Sequence, residues 1–149
     1  MIALIQRVTE AQVRVSGQAV AAIGRGILAL VGVERGDGER EAERLAERVL
    51  GYRIFPDAEG RMNLSLKDVG GELLAVPQFT LVADTAKGSR PSFSSGALPE
   101  VGQELFLKFL EQAKQKYPSV VAGRFGAHMQ VSLVNDGPAT FWLRVSKVS

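Results

Sequence analysis

The chain predicts a single α+β domain over residues 1–149, an antiparallel, barrel-like sheet packed with two main helices. Three observations predict it. Short strand-like runs crowd both ends of the chain, and two amphipathic helical stripes interrupt them. No linker, low-complexity tract or internal repeat divides the 149 residues. A chain of this length buries about two-thirds of its unfolded surface, enough for one core.

Each element has its own signal. Met1-Ile2-Ala3-Leu4-Ile5-Gln6-Arg7-Val8 reads as a strand. Ala11–Val15 and Gln18–Ile23 flank Ser16-Gly17, a hairpin signal. Gly26–Val33 is apolar on both faces and suits a buried central strand. A helix follows over Asp37–Leu50, with Asp37 as its cap and Ala42, Leu45, Ala46 and Val49 as its apolar stripe. Its acids and bases alternate, which marks a solvated face rather than an RNA grip. Phe55–Arg61 breaks the pattern as a loop, and Glu72–Val82 returns to strand. The second helix spans Pro99–Lys116, turns Val101, Leu105, Phe106, Phe109, Leu110 and Ala113 inward, and stops before Pro118. Three strands close the chain, near Val120–Gly123, Met129–Val134 and Phe141–Val145.

Composition excludes several classes. A hydrophobic fraction of 46% with 23% charged residues is that of a soluble globule, not of a disordered chain. No apolar run approaches the roughly 18 residues of a membrane span, and the N-terminus has no leader pattern. The absence of cysteine rules out disulfides and thiolate metal sites and fits a reducing, cytoplasmic setting. Eighteen basic against sixteen acidic residues leave a net charge of only +2, so any RNA contact must come from a local patch. The best one is Lys87-Gly88-Ser89-Arg90-Pro91-Ser92, where Lys87 and Arg90 stand among small and hydroxylated residues without an acid. The plain reading of that stretch is a solvated loop.

Ordinary catalytic equipment is scarce. His128 is the one histidine, no serine sits in a nucleophile elbow, and no glycine-rich phosphate loop precedes a helix. A lone histidine beside a strand is a packing or hydrogen-bonding residue, so neither metal nor cofactor is expected. Gln78 and Thr80, two apart on an apolar strand, project from one face and offer an amide and a hydroxyl to an ester or an amine. Pro77 lacks an N–H, which argues for an edge or an interrupted strand. Near the C-terminus, Asn135-Asp136-Gly137-Pro138 reads first as a turn between two strands. A cis Gly-Pro bond there would aim two carbonyl oxygens rigidly, as scaffold or as a steric gate.

Two motifs in order, Val76-Pro77-Gln78-Phe79-Thr80-Leu81 and Asn135-Asp136-Gly137-Pro138-Ala139-Thr140, resemble those of the D-aminoacyl-tRNA deacylase family. The likeness extends from Ile5-Gln6-Arg7-Val8 to Phe141-Trp142 and includes the Asp84–Phe93 segment and Gly126-Ala127-His128-Met129. It implies a cytoplasmic homodimer, with the active site at the subunit interface, that hydrolyses the ester of D-aminoacyl-tRNA. By the same resemblance the Gly137–Pro138 bond is cis, and its two main-chain oxygens fill the space an L side chain needs. Achiral glycine passes such a gate, so glycyl-tRNA(Ala) is an expected second substrate. Gln78, Phe79 and Thr80 are then positioning residues, none a covalent nucleophile, and the tRNA's own terminal 2′-OH assists the reaction. Arg7 and Asn135 support the gate, Met129 lines the terminal adenosine pocket, and Lys87 and Arg90 meet the RNA backbone.

One position departs from the pattern. The first motif of the family begins with serine, where this chain has Pro77. Proline there resembles a related deacylase branch that acts on L-alanyl-tRNA(Thr) and carries a trans Gly-Pro. Phe79, Arg7 and the Asn-Asp-Gly-Pro-Ala-Thr string favour the D-specific branch. The alternative from another class is a non-catalytic tRNA-binding module built on the Lys87–Arg90 loop.

Overall fold

The computed structural model describes residues 1–146, so the last three positions of the expected 1–149 domain lie outside the described residues. In chain order the elements are β1 (Ile2–Val15), β2 (Gln18–Ile23), β3 (Gly26–Gly32), α1 (Glu39–Gly51), β4 (Phe55–Pro56) and β5 (Met62–Leu64). There follow α2 (Leu66–Val69), β6 (Glu72–Pro77), a 3-10 turn at Phe79–Val82, α3 (Pro99–Lys116), β7 (Val120–Ala122) and β8 (Gln130–Arg144).

β1 organises the sheet because its partners change along its length. Ile2 to Val8 pair antiparallel with β3, Ala11 to Val15 pair with β2, and β8 runs antiparallel along the opposite edge of both halves. The sequence divides this segment into two strands, yet one strand runs through it. Ser16 and Gly17 turn the hairpin to β2, both with positive φ, as a two-residue hairpin turn requires. β6 then adds to β3, and β7 to β6, in parallel. The sheet is thus largely antiparallel, as expected, with the two parallel pairs β3–β6 and β6–β7 added at one side. The chain returns through α1 and α2, and later through α3, which are the crossovers a parallel pair needs. With β2 brought back against β6 and β7, the six strands form a nearly closed, barrel-like sheet.

The two-sided apolar pattern of β3 has a direct structural cause. Ile27, Ala29 and Val31 face a core shared with α1 and α3, while Leu28 and Leu30 face a second cluster inside the curved sheet. β6 divides the same way, Leu73 and Ala75 against Leu74 and Val76. Each strand is thus buried on both faces, which requires a nearly continuous apolar run. α3 has the bounds read from the sequence and buries Leu105, Phe106, Phe109, Leu110 and Ala113.

Four local expectations are corrected. Gly38, not Asp37, occupies the N-cap of α1, and Glu41 Oε1 accepts from the Gly38 N–H at 2.8 Å. Asp37 is drawn elsewhere: its carboxylate accepts from Glu34 N at 2.7 Å and from the Met1 ammonium at 3.0 Å. The expected Phe55–Arg61 loop begins a small hairpin, β4 paired with β5, whose turn is held by Asp57 Oδ1 accepting from Glu59 N and Arg61 N. The strand expected to reach Val82 stops at Pro77, and the two strands expected around Asn135–Pro138 are one strand, β8.

The N-terminus is tied to the end of β8 at one edge. The buried Met1 ammonium also meets Glu34 Oε1 at 3.1 Å and donates to Val145 O at 2.7 Å. Arg144 grips the same Glu34 with two bonds of 3.0 and 2.8 Å. Partial burial pulls the Glu34 carboxyl up, but the hydrogen bonds and charges of Arg144 and the ammonium hold it net below the usual 4.5. Burial raises Asp37 above 3.8, and its hydrogen bond from the ammonium offsets this only in part.

Candidate active site

Where β6 ends, a mostly apolar cavity of about 480 Å³ opens. Val31 and Val33 form part of its wall, the Pro77–Phe79 segment its mouth, Gly96 to Pro99 one flank, and Phe125 to Met129 the other. A chamber of this size and lining suits one flat, largely apolar group with a polar tail.

The mouth is shaped by Pro77. It pairs with Val31 as the last residue of β6, and the next N–H, that of Gln78, donates to Val31 O at 2.8 Å. The backbone then leaves the sheet and tightens into the 3-10 turn Phe79–Val82, with Leu81 N donating to Gln78 O and Ala83 N to Thr80 O. Phe79 and Thr80 lead that turn, so their N–H groups have no acceptor within it. This turn can sit on β3 because residue 32 is glycine: a Cβ there would lie 2.8 Å from Val82 Cγ1 and 3.2 Å from Gln78 O. The expected strand alternation of Gln78 and Thr80 is therefore absent, since a turn replaces the strand. Their side chains still meet, the Gln78 amide donating to Thr80 Oγ1. Phe79 is 66% exposed, and its ring stands 5.4 Å from that of Phe93.

The opposite flank is built around Met129. Its Sδ accepts from the Arg124 N–H at 3.4 Å, and a Cβ on Gly123 would come within 2.8 Å of that sulfur. Glycine at 123 thus makes room for the thioether beside Pro77 and Val76. His128 lies exposed at the rim.

A second cluster stands on β8. Between Asn135, opposite Val8, and Thr140, opposite Gln6, β8 carries extra residues that bulge from the ladder. The bulge leaves the strand direction unchanged, so the segment is not the reversing turn that its residues spell. The Gly137–Pro138 peptide is cis, and both residues are exposed. Arg7 donates from Nε to Asp136 O at 2.9 Å and from Nη1 to Ile54 O at 2.6 Å, which joins β1 and the residue before β4 to the bulge. Asn135 closes the bulge from within, accepting from Ala139 N at 2.9 Å and donating to Thr140 Oγ1 at 2.7 Å. Gly137 has φ +133°, and a Cβ on it would fall 2.8 Å from Arg7 Nη2.

Of the residues expected at a site, Gln78, Phe79 and Met129 line the cavity, and Thr80 touches it through Gln78. Arg7, Asn135, Gly137 and Pro138 form their own cluster and line none of it. Lys87 and Arg90 lie on an exposed loop closed at its base by Asp84 and Ser92, bonded both ways at 2.7 and 2.9 Å. Sequence reading missed Phe93, Leu98 and Phe125 as cavity residues. Aromatic and leucine residues in loops are their only signal, and a core residue gives the same one. Among the described residues no group of three or more histidine, aspartate or glutamate side chains could hold a metal, and no described helix is long and apolar enough to cross a membrane.

The chain thus combines a six-stranded sheet and three helices with an apolar cavity at an interrupted strand and a braced Gly-Pro bulge. The family model described as D-Tyr-tRNA(Tyr) deacylase matches residues 4–144, and the chain belongs to that family. It is 61% identical over 97% of its length to the D-aminoacyl-tRNA deacylase of Nitrosococcus oceani, covering 94% of that protein. It is 63% identical to the D-aminoacyl-tRNA deacylase of Methylococcus capsulatus, with 97% and 94% of the two chains covered. Among solved structures, one named c-Myc DNA Unwinding Element Binding Protein superposes with a TM-score of 0.93 at 39% identity, covering 98% of this chain and 99% of its own.

Proposed function

We propose that this chain is an editing enzyme that hydrolyses the ester of D-aminoacyl-tRNA and spares the L form. One observation carries the reading: the two family motifs form two separate clusters, a cavity mouth with leading N–H groups and an exposed Gly137–Pro138 bulge that no cavity residue surrounds. The two fit together in a homodimer, where the bulge of one copy reaches into the cavity mouth of the other. The terminal adenosine then enters the cavity beside Met129, and the ester lies at Phe79 and Thr80. The main-chain oxygens of Gly137 and Pro138 stand where an L side chain would go, so selection works by exclusion. Glycine has no such side chain, which makes glycyl-tRNA(Ala) a second substrate.

In the reaction, water adds to the ester carbonyl, the bond to the ribose oxygen breaks, and that oxygen takes a proton. The Phe79 and Thr80 N–H groups oppose the charge that grows on the carbonyl oxygen. Among the described residues His128 has no partner that would make it a general base and Thr80 has no base to activate it, so the neighbouring 2′-OH of the substrate is the group at hand to assist. Lys87 and Arg90 offer charge to the RNA backbone, and the reaction belongs to the cytoplasm, where aminoacyl-tRNA is used.

A D-aminoacyl-tRNA whose terminal adenosine lacks the 2′-OH tests this chemistry. It should bind as the normal substrate does and be hydrolysed at least about a hundredfold more slowly, the scale of a general acid–base contribution. Equal rates would remove the 2′-OH from the mechanism. The second reading is a nucleic-acid-binding module without hydrolysis, favoured by the exposed basic loop and by the name of the solved neighbour. It predicts binding of tRNA with no ester cleavage in either substrate.

A further inference from the structure

The exposed ring pair at the cavity mouth does something that the terminal nucleoside alone does not require. Phe79 and Phe93 are 66% and 46% exposed, with centroids 5.4 Å apart and planes inclined by 49°. Leu98, 67% exposed, stands on the same cavity rim. Phe93 is not a loose side chain on a free loop. The Asp84–Ser92 pair closes the residue before it, Phe93 O accepts from Gly96 N at 3.1 Å, and Ala97 N is bonded to Val33 O at 3.1 Å. Its backbone is thus fixed on both sides while its ring faces out. The loop that Asp84 and Ser92 close carries Lys87 and Arg90, both exposed and neither in an ion pair among the described residues.

A rigid exposed aromatic surface beside uncompensated cations is the arrangement that binds single-stranded nucleic acid, bases on the rings and phosphates on the charges. We infer that Phe93, with Lys87 and Arg90 beside it, is a stacking platform for the unpaired nucleotide that precedes the terminal adenosine of the tRNA 3′ end. The inference rests on the proposed function, because that reading sets the terminal nucleoside inside the cavity. The preceding base then emerges at the rim, where Phe93 stands just after the 85–91 loop, and its phosphate falls toward that loop.

The test compares two minimal ligands that differ only in the preceding nucleotides, adenosine and the trinucleotide CCA. Each is used free for binding and as its D-tyrosyl ester for hydrolysis, with the wild type, Phe93→Ala and Phe93→Tyr. Phe93→Ala should weaken binding of CCA and raise KM for its ester by about tenfold, the worth of one base stacked on an aromatic ring. The loss on adenosine and its ester should be at least about fivefold smaller than that. Phe93→Tyr, which keeps a stacking face, should restore CCA affinity. Equal losses on both ligands would mean that Phe93 only shapes the cavity, and no loss on either would overturn the platform. Failure of the wild type to hydrolyse any ester would sink the proposed function, while the binding series would still decide the platform.

Discussion

Gly137 shows how much one residue decides. Its φ of +133° is a conformation that L side chains rarely adopt, and an added Cβ would meet Arg7 Nη2 at 2.8 Å. Substitution therefore disturbs the arginine that holds Asp136 O and Ile54 O, and with it the direction of the Gly137 and Pro138 oxygens. Gly137→Trp should abolish D-aminoacyl-tRNA hydrolysis. The stability loss should stay near 1–3 kcal/mol, because the bulge is exposed and the strain is local. Thermal unfolding would then shift by roughly 2–4 °C per kcal/mol for a chain of this size. Unchanged turnover in this variant would remove the gate. The glycine and the arginine could both be read in the sequence, but not their contact, nor the bond from Arg7 to Asp136 O that joins positions 129 residues apart.

At the scale of elements, legibility followed periodicity. α3 keeps the bounds its apolar stripe announces, because six inward residues at helical spacing have no rival pattern. The two interruptions were harder. Pro77 signals a broken strand, yet not that the chain next tightens into a 3-10 turn; that outcome depends on Gly32, 45 residues earlier and without a Cβ, admitting the turn onto β3. Asn135-Asp136-Gly137-Pro138 has the composition of a reversal, but pairing on both sides with the unbroken β1 carries β8 straight through. Local turn chemistry lost to a long partner strand. The same long strand hides its own continuity, since the exposed Thr9 and Glu10 look like a break. The parallel pairing of β6 and β7 depends on crossovers, which no single run of residues encodes.

For the whole molecule, the N-terminus and the end of β8 are joined through charge. Met1, Glu34, Asp37 and Arg144 tie β1 and β8 to the loop after β3. Glu34 titrates below 4.5 in the folded protein, so the unfolded chain takes up its proton first as pH falls. Its stabilisation is complete above the unfolded value and is lost as pH drops through the lowered one. Asp37, raised above 3.8, works in the opposite sense: its contribution is complete at low pH and is lost as pH rises through the raised value. Glu34→Gln should therefore lose less stability than the wild type between roughly pH 5 and pH 3 in denaturant titrations. An equal or greater acid loss in the variant would mean that Glu34 is not ion-paired in solution.

The division of the site between two clusters also belongs to this scale, for under the proposed function it makes selectivity a property of two copies rather than of one. Rates of deacylation of matched D-Tyr-tRNA and L-Tyr-tRNA, at enzyme concentrations low enough to resolve both, test that claim most directly. Rapid release of D-tyrosine with L-Tyr-tRNA left intact is the predicted result. Release of both at similar rates would contradict the exclusion of L side chains by the Gly137–Pro138 oxygens, and release of neither, with tRNA bound, would contradict the hydrolase itself.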